Sequence, residues 1–192
     1  MKNVYLRSML AAACAATLAA CGGSGGNLYL GGSVVGLAKT GLILQNGNEE
    51  LPVASGASSF YFTNLIKSED RYDIKIKQQP TGATCTIANA SGKANSYSAS
   101  TAVVSCITDQ YTLGGSISGL TATGLILANG ASQISPLANS TKFVFPATVG
   151  DGSIYTVNVA QNPAGLACTI SNPVGTMGSK NNDTLVVTCV PA

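Results

Sequence analysis

Apolar and polar positions alternate along much of the chain. Between residues 71 and 77 every second side chain is apolar and the intervening ones are charged, and a similar alternation runs through residues 155–160. This period of two predicts β-strands with one buried and one solvated face. No segment shows a helical period, and we expect seven strands in the first half of the chain, near Leu30–Val35, Gly41–Gln45, Leu51–Ala54, Ser59–Asn64, Arg71–Lys77, Thr84–Ala88 and Ala102–Ile107.

The second half of the chain repeats the first. The segment Gly31–Leu44 returns as Gly114–Leu127, and an offset of 83 positions aligns the two halves without a gap up to their last cysteines. Asn-Gly pairs follow the same apolar run in both copies and predict tight turns that need a positive φ. A duplicated unit of this size is typical of a small sandwich domain, so we predict domains over residues 28–109 and 110–192 with no linker between them.

The first twenty residues have the pattern of a secretory signal peptide. Lys2 and Arg7 precede an apolar run from Met9 to Ala20, which is too short to cross a bilayer as a permanent helix. Its end, Leu18-Ala19-Ala20-Cys21, resembles the lipobox of bacterial lipoproteins. That resemblance implies a signal peptide over residues 1–20, a diacylglycerol thioether on Cys21, and acylation, such as palmitate, of the new amino terminus.

Residues 21–27 follow as the lipidated cysteine and a Gly/Ser linker, which we expect to be flexible and short. In Gram-negative lipoproteins an Asp after the cysteine is a typical signal for retention in the inner membrane. Gly22 and Gly23 occupy those positions here. The resemblance therefore implies the outer membrane, with the domains facing the periplasm or the cell surface.

Six cysteines are present, of which Cys14 would leave with the signal peptide and Cys21 would carry lipid. The remaining four stand at equivalent places in the two copies, and an even number in an exported chain indicates disulfides. Three pairings are open, and the duplication selects one bridge within each copy. A zinc site is the alternative, but no C-x-x-C spacing and no His supports it. The predicted disulfides are Cys85–Cys106 and Cys168–Cys189.

Composition argues against catalysis and against nucleic acid. Charged residues make up 9% of the chain, His is absent, and acids and bases nearly balance. Without His the usual Ser-His, Cys-His and His-metal sites are excluded, and without a basic field no nucleic acid would be attracted. We expect no cofactor. The acidic pairs Glu49-Glu50 and Glu69-Asp70 are typical of solvated turns, although Glu69, Asp70 and Asp73 offer oxygen ligands for calcium.

One strand differs between the copies on its exposed face. The first copy carries charges there, and with two neighbouring residues they form a candidate binding strip of Tyr61, Arg71, Asp73, Lys75 and Lys77. The second copy has Thr156, Asn158 and Ala160 at the matching strand positions. The strip is either a recognition surface that diverged after duplication or a set of charges that prevents pairing at a sheet edge.

The order of motifs in each copy is Gly-x-Val/Ile-x-Gly-Leu, Thr-Gly-Leu-Ile-Leu, Phe-x-Phe, a Tyr-led strand, Pro-x-Gly and paired cysteines. It resembles the immunoglobulin-like and prealbumin-like sandwich modules of bacterial surface proteins, apart from the cysteines. The whole pattern is similar to an uncharacterised tandem repeat of predicted Gram-negative lipoproteins. The resemblance implies an all-β fold of two tandem Ig-like sandwiches and supplies no reaction.

These observations favour a non-enzymatic lipoprotein of the outer membrane that acts as a recognition or spacer module. Its partners would be the membrane, through the acyl chains, and a protein or glycan ligand. The alternative is a periplasmic inhibitor, immunity or exclusion-type lipoprotein, which would use an unsymmetrical loop such as residues 49–57 or 67–71. A hydrolase or carbohydrate-active enzyme would need a polar pocket shared by both copies.

Overall fold

The computed structural model describes residues 27–192. The predicted signal peptide, Cys21 and residues 22–26 of the predicted linker lie outside the described residues. The described chain is all-β, as the alternation predicts, and its only helix is a single 3₁₀ turn at Ser98–Ser100. Twenty strands fall into two equal sets of ten, so the protein consists of two β-sandwiches that we call unit 1 (β1–β10) and unit 2 (β11–β20).

The strands of the two units correspond one to one in chain order. Those of unit 1 are β1 Asn27–Leu28, β2 Gly31–Val35, β3 Leu42–Asn46, β4 Glu49–Val53, β5 Ser59–Tyr61, β6 Ile66–Lys67, β7 Arg71–Gln78, β8 Ala83–Ala88, β9 Ser91–Lys93 and β10 Ala102–Thr108. Those of unit 2 are β11 Gln110–Tyr111, β12 Leu113–Ser118, β13 Ile126–Asn129, β14 Ser132–Ile134, β15 Lys142–Val144, β16 Val149–Gly150, β17 Ile154–Gln161, β18 Leu166–Ser171, β19 Val174–Thr176 and β20 Asn182–Pro191.

Each unit contains two four-stranded sheets and a small ribbon. In unit 1 the strand orders are β5-β2-β10-β8, which we call sheet A, and β4-β3-β7-β9, which we call sheet B, with β1 paired to β6. In unit 2 the strand order of sheet A is β15-β12-β20-β18, that of sheet B is β14-β13-β17-β19, and β11 is paired to β16. The two central strands of sheet A run parallel, β2 beside β10 in unit 1 and β12 beside β20 in unit 2, whereas all the other pairs are antiparallel. All seven strands predicted for unit 1 are present, and β1, β6 and β9 were not predicted.

Each unit has its own hydrophobic core. The inward side chains of its two sheets form one cluster, and neither cluster includes a residue of the other unit. The Phe-x-Phe motif supplies a pair of rings to each core, edge to face, with centroids 6.1 Å apart in unit 1 and 5.8 Å apart in unit 2. Such pairs combine a large buried area with favourable ring geometry. Two complete cores let each unit hold its fold separately.

The Gly-Gly-Ser motif brings the strands of sheet A together. A Cβ on Gly32 would lie 2.0 Å from the carbonyl oxygen of Ala102 on β10, and a Cβ on Gly115 would lie 2.0 Å from that of Leu185 on β20. Only glycine permits backbones to approach this closely. The motif that recurs in both copies is therefore a requirement of the parallel pair at the centre of sheet A.

The Asn-Gly pairs form the tight turns predicted for them. Gly47 and Gly130 have φ of 57° and 59° at the first central position of the two-residue β3–β4 and β13–β14 turns. A positive φ there matches the right-handed twist of a hairpin. The preceding Asn46 also accepts a hydrogen bond from the backbone N–H of Asp73 at 3.1 Å, which joins the turn to β7.

Both predicted disulfides are present. Cys85 and Cys106 stand opposite each other on β8 and β10, with Cα atoms 4.0 Å apart, and Cys168 and Cys189 do the same on β18 and β20. Both bridges are buried in their cores. The cysteine strands do not form a hairpin, because the chain between them passes through a strand of the other sheet, which is β9 in unit 1 and β19 in unit 2. Each bridge thus closes a loop that connects the two sheets.

Candidate functional site

The outward face of sheet B in unit 1 carries most of the predicted binding strip. Arg71, Asp73, Lys75 and Lys77 are exposed along β7, while Tyr72 and Ile74 point into the core. The alternation of β7 therefore presents four charged side chains in a row, which we call the charged face. In the sheet order β7 lies between β3 and β9, but β3 pairs within residues 74–78 of β7 and β9 pairs with residues 71–73. No residue of the charged face is paired on both sides, so protection of an open strand side stays an alternative interpretation of these charges.

Tyr61 does not belong to the charged face. It lies on β5 at the edge of sheet A, opposite Gly31, and its ring covers the Cα of that glycine. Because Phe60 points inward, Tyr61 projects from the outer face of sheet A, on the opposite side of the sandwich from β7. The period of two identified its exposure correctly, but periodicity carries no information about which sheet a strand joins.

The charges around β7 are arranged in pairs of opposite sign. The ammonium of Lys75 lies 2.9 Å from the Asp73 carboxylate, Lys77 contacts Glu50 on β4, and Lys93 on β9 lies 3.0 Å from Glu69. All these groups are well exposed, so each pair adds little to stability, typically below about 1 kcal/mol. Arg71 makes no ion pair among the described residues. The result is a solvated surface of mixed charge.

The equivalent face of unit 2 is uncharged. Ile154, Thr156, Asn158 and Ala160 replace the four residues of the charged face, and Ile154 is 74% exposed. Val174, across the sheet on β19, is also exposed. The two sandwiches therefore have the same strand arrangement, and they differ in the side chains on this exposed face.

Glu49, of the acidic pair Glu49-Glu50, is hydrogen-bonded within unit 1. Glu49 accepts hydrogen bonds from the backbone N–H of Thr63 at 2.6 Å, from the Thr63 hydroxyl and from the N–H of Asn64. Burial acts to raise the pKa of Glu49, but these hydrogen bonds outweigh it and leave the pKa below its ordinary value. Glu49 thus stabilises the loop that follows β5.

The oxygen ligands considered for calcium do not converge. Asp70 accepts a hydrogen bond from the backbone N–H of Lys67 within its own turn, Glu69 faces Lys93, and Asp73 faces Lys75. Within residues 27–192, no three side chains of His, Cys, Asp or Glu come together in a way that could hold a metal ion. The calcium interpretation of this loop is therefore wrong.

A second site, not predicted from the sequence, is the junction between the units. Asp109 alone connects β10 to β11. Its N–H donates to the carbonyl oxygen of Gly82 at 3.0 Å, and its own carbonyl accepts from the N–H of Asp151 at 2.9 Å. Thr84 donates a further hydrogen bond to the Asp109 carboxylate at 2.8 Å. The connection is thus hydrogen-bonded to a loop of each unit.

The junction also contains an ion pair that links the units directly. Lys39, between β2 and β3, donates to the Asp151 carboxylate at 2.6 Å and to the carbonyl oxygen of Asp151 at 2.7 Å. The two side chains are only 21% and 10% exposed. The carboxylate also accepts from the Ser179 hydroxyl at 2.7 Å and lies against Gly82, where a Cβ would be 2.2 Å from its Oδ1. This junction ion pair is the least exposed in the described chain.

The pKa of Asp151 lies below its ordinary value. Hydrogen bonds from Lys39 and then from Ser179 favour the ionised carboxylate, partial burial opposes them, and the positive charge of Lys39 adds to the lowering. The junction is therefore stabilised by an ionised Asp151.

Each partner of the junction ion pair is peculiar to its own copy. Ala122 occupies the position of Lys39 in unit 2, and Ser68 occupies the position of Asp151 in unit 1. A comparison of the copies for charges present in only one of them could have found this pair. Lys39 and Asp151 each occur in one copy only. Their opposite charges therefore face each other at the junction between the units, and the two outer ends of the described chain carry neither of them.

No family model matches this chain, and a search of the curated proteins finds no significant relative. Within residues 27–192, no helix combines the length and the apolar character needed to cross a bilayer.

Proposed function

We propose that the protein is a non-enzymatic lipoprotein of the outer membrane in which two joined sandwiches form a short, stiff recognition or spacer module. Its anchor would be the acyl chains on Cys21. The observation that carries the proposal is the junction, where a one-residue connection and a largely buried ion pair hold together two units that each have a complete core.

A stiff pair suits a spacer because a flexible pair would not hold its outer unit at a fixed distance from the bilayer. Partly buried ion pairs with additional hydrogen bonds restrict geometry more than exposed ones do. Lys39 makes two hydrogen bonds to one residue of the other unit, and Asp109 adds main-chain bonds to both units. These contacts support a fixed angle between the sandwiches.

Recognition is supported by the charged face of unit 1. The face is solvated, carries alternating signs and is replaced by uncharged residues in unit 2. Charge patterns of this kind select partners and orient them on approach. We therefore propose a protein partner with a complementary pattern at this face.

The inhibitor alternative is less well supported. It requires an accessible, unsymmetrical loop, and the two candidates are residues 49–57 and 67–71. The carboxylates of Glu49, Glu69 and Asp70 in those loops already contact groups of the same unit. The charged face also contains ion pairs within the unit, but Arg71 makes none among the described residues, and the four side chains of the face lie on one strand rather than in a loop.

Lipidation and location can be tested by metabolic labelling with palmitate followed by separation of the inner and outer membranes. We expect the wild-type protein to be labelled and to fractionate with the outer membrane, and Cys21→Ser to lose both properties. An unlabelled wild-type protein, or one that fractionates with the inner membrane, would contradict the proposal.

Recognition can be tested with a photo-crosslinking amino acid placed at Lys75, and at Asn158 as the matched control on the same strand of unit 2. Both side chains are exposed. We expect a discrete protein adduct in cells from position 75 and none from position 158. Identical results at the two positions would exclude the charged face as the recognition surface.

A further inference from the structure

The end of unit 1 that is opposite the junction carries a group of exposed apolar side chains. Tyr29 and Tyr97 are 66% and 79% exposed, and Tyr61 and Leu65 are also exposed. We call this end of the sandwich the free end of unit 1. We propose that the free end docks on the bilayer interface, so that the molecule stands on the membrane with unit 2 outward. The inference rests on the lipid anchor of the proposed function.

The topology brings the four residues to one end. Tyr29 lies between β1 and β2, and Tyr61 stands opposite Gly31 at the start of β2. The β1–β6 register pairs Leu28 with Ile66, and its extension by one residue sets Tyr29 opposite Leu65.

Tyr97 belongs to the segment just before β10, which starts beside the beginning of β2 because these two strands are parallel. This segment is held by a hydrogen bond from Ser98 Oγ to the carbonyl oxygen of Lys93 at 2.7 Å, and by one from Tyr72 Oη to that of Ser98 at 3.2 Å. Tyr97 is therefore exposed on an ordered support.

Unit 2 lacks these residues at the corresponding end, where it contacts unit 1. Thr112, Val144, Thr148 and Lys180 stand in place of Tyr29, Tyr61, Leu65 and Tyr97. Unit 2 has one tyrosine at its corresponding end, Tyr111, and that side chain packs against the core, whereas the tyrosines of the free end are exposed. Tyrosine has an apolar ring and a polar hydroxyl, and it is enriched where proteins meet the headgroup region of a bilayer.

The distance to the anchor selects the bilayer as the occupant. The described chain begins at Asn27, which pairs with Lys67 at the free end. Six residues lead from Cys21 to Asn27, and even a fully extended chain of that length spans only about 20 Å. A lipid on Cys21 would hold the free end of unit 1 close to the membrane surface, and unit 2 farther from it.

A second copy of the chain fits the free end less well. The end of unit 2 that would have to reach it carries Ala122 where unit 1 has Lys39, and the free end carries Ser68 where unit 2 has Asp151. The ion pair that joins the units therefore cannot form between molecules, and head-to-tail chains would lack their main polar contact.

The test uses the absence of Trp from the chain, which allows a single Trp to report its surroundings. The lipidated protein is reconstituted in vesicles of phosphatidylethanolamine and phosphatidylglycerol with brominated acyl chains, which quench Trp that lies among them. Tyr97→Trp probes the free end. Leu137→Trp, at an equally exposed residue near the far end of unit 2, is the control. Flotation of the vesicles reports anchoring separately.

We expect both variants to float with the vesicles, and only Tyr97→Trp to lose most of its emission and shift to the blue. Unquenched Trp at both positions in floating protein would overturn docking and leave the anchor intact. Quenching at Leu137→Trp would also overturn the proposal, because unit 2 would then lie on the membrane. Failure to float would overturn the anchor, and the docking inference with it.

Discussion

Units 1 and 2 share a fold, and they differ at the places where their positions in the molecule differ. Both keep the close glycines of sheet A, the Asn-Gly turn and the buried disulfide. Only unit 1 has Lys39, the charged face and the exposed tyrosines, and only unit 2 has Asp151. The residues that the copies share are explained by backbone geometry and the core.

We therefore expect the residues that differ between the copies to mark the surfaces that contact the other unit, a partner or the membrane. A duplication begins with two identical surfaces, and each one then experiences a different environment. Lys39 and Asp151 lie where the units meet, and the tyrosines lie where unit 1 meets no other unit. Substitutions that act on one copy only test this difference between the units.

The largest effect is expected from Gly32→Ala. The new Cβ would lie 2.0 Å from the Ala102 carbonyl oxygen, so β2 and β10 would have to separate, and we expect a loss of about 4 kcal/mol in the stability of unit 1. Gly47→Ala is the control. Nothing lies within 4 Å of its Cβ, and only its φ of 57° opposes the change, at about 1 kcal/mol.

Backbone amide spectra, which resolve the two units residue by residue, would report these changes. Unit 2 should keep its native spectrum in Gly32→Ala because its core contains no residue of unit 1. Loss of both units together would contradict the description of two separate cores.

Removal of one disulfide should have the next largest effect. Cys85→Ala with Cys106→Ala opens a loop whose ends are 21 residues apart, and we expect unit 1 to lose about 3 kcal/mol. The same change at Cys168 and Cys189 should destabilise unit 2 by a similar amount, since the loop has the same length. Calorimetry would show the corresponding transition shifting in each variant. A clearly unequal loss would show that the two bridges differ in function.

Glu49→Gln should destabilise unit 1 by about 1 kcal/mol, because a neutral amide replaces a carboxylate that accepts bonds from Thr63 and Asn64. The lowered pKa of Glu49 means that this stabilisation is complete above the ordinary pKa of Glu, about 4.3, and is lost as the pH falls through the lowered value. Urea titrations at several pH values would measure it. In the control Ser132→Glu, unit 2 should gain less than unit 1 loses, because Pro146 replaces both donors of Thr63 and leaves only the N–H of Ala147.

The smallest effect should come from Glu69→Gly. Glu69 adopts a φ of 72°, and unit 2 has Gly152 with the same φ at this position. Relief of the left-handed conformation should outweigh both the exposed ion pair with Lys93 and the greater freedom of glycine in the unfolded chain. We expect a gain of about 0.5 kcal/mol, measurable by urea titration. A loss of stability would show that the ion pair is worth more than its exposure suggests.

The sequence was sufficient for the elements that depend on local pattern. Alternation identified the long strands, and the position of the cysteines in the duplication identified both bridges. β1, β6 and β9 were missed because two or three residues are too few to display a period. Tyr61 was assigned to the wrong surface because alternation separates inside from outside but not one sheet from the other.

The junction was missed for a different reason. Lys39 and Asp151 are 112 positions apart in the chain, and each looks like an ordinary loop charge by itself. Their contact follows from how the two units are placed, which no local pattern contains. The signal was present only in the comparison of copies, where Ala122 and Ser68 replace them.

We propose that the junction ion pair holds the two units at one angle, and a distance measured between the units would show whether it does. Spin labels at Thr86 in unit 1 and Thr169 in unit 2, both exposed, would report that distance by pulsed electron paramagnetic resonance. We predict a narrow distribution in the otherwise wild-type protein at neutral pH. It should broaden in Lys39→Ala and in Asp151→Ser, which install the residues of the other copy, and also as the pH falls through the lowered pKa of Asp151. A broad distribution at neutral pH, or a narrow one that survives both substitutions, would contradict the claim.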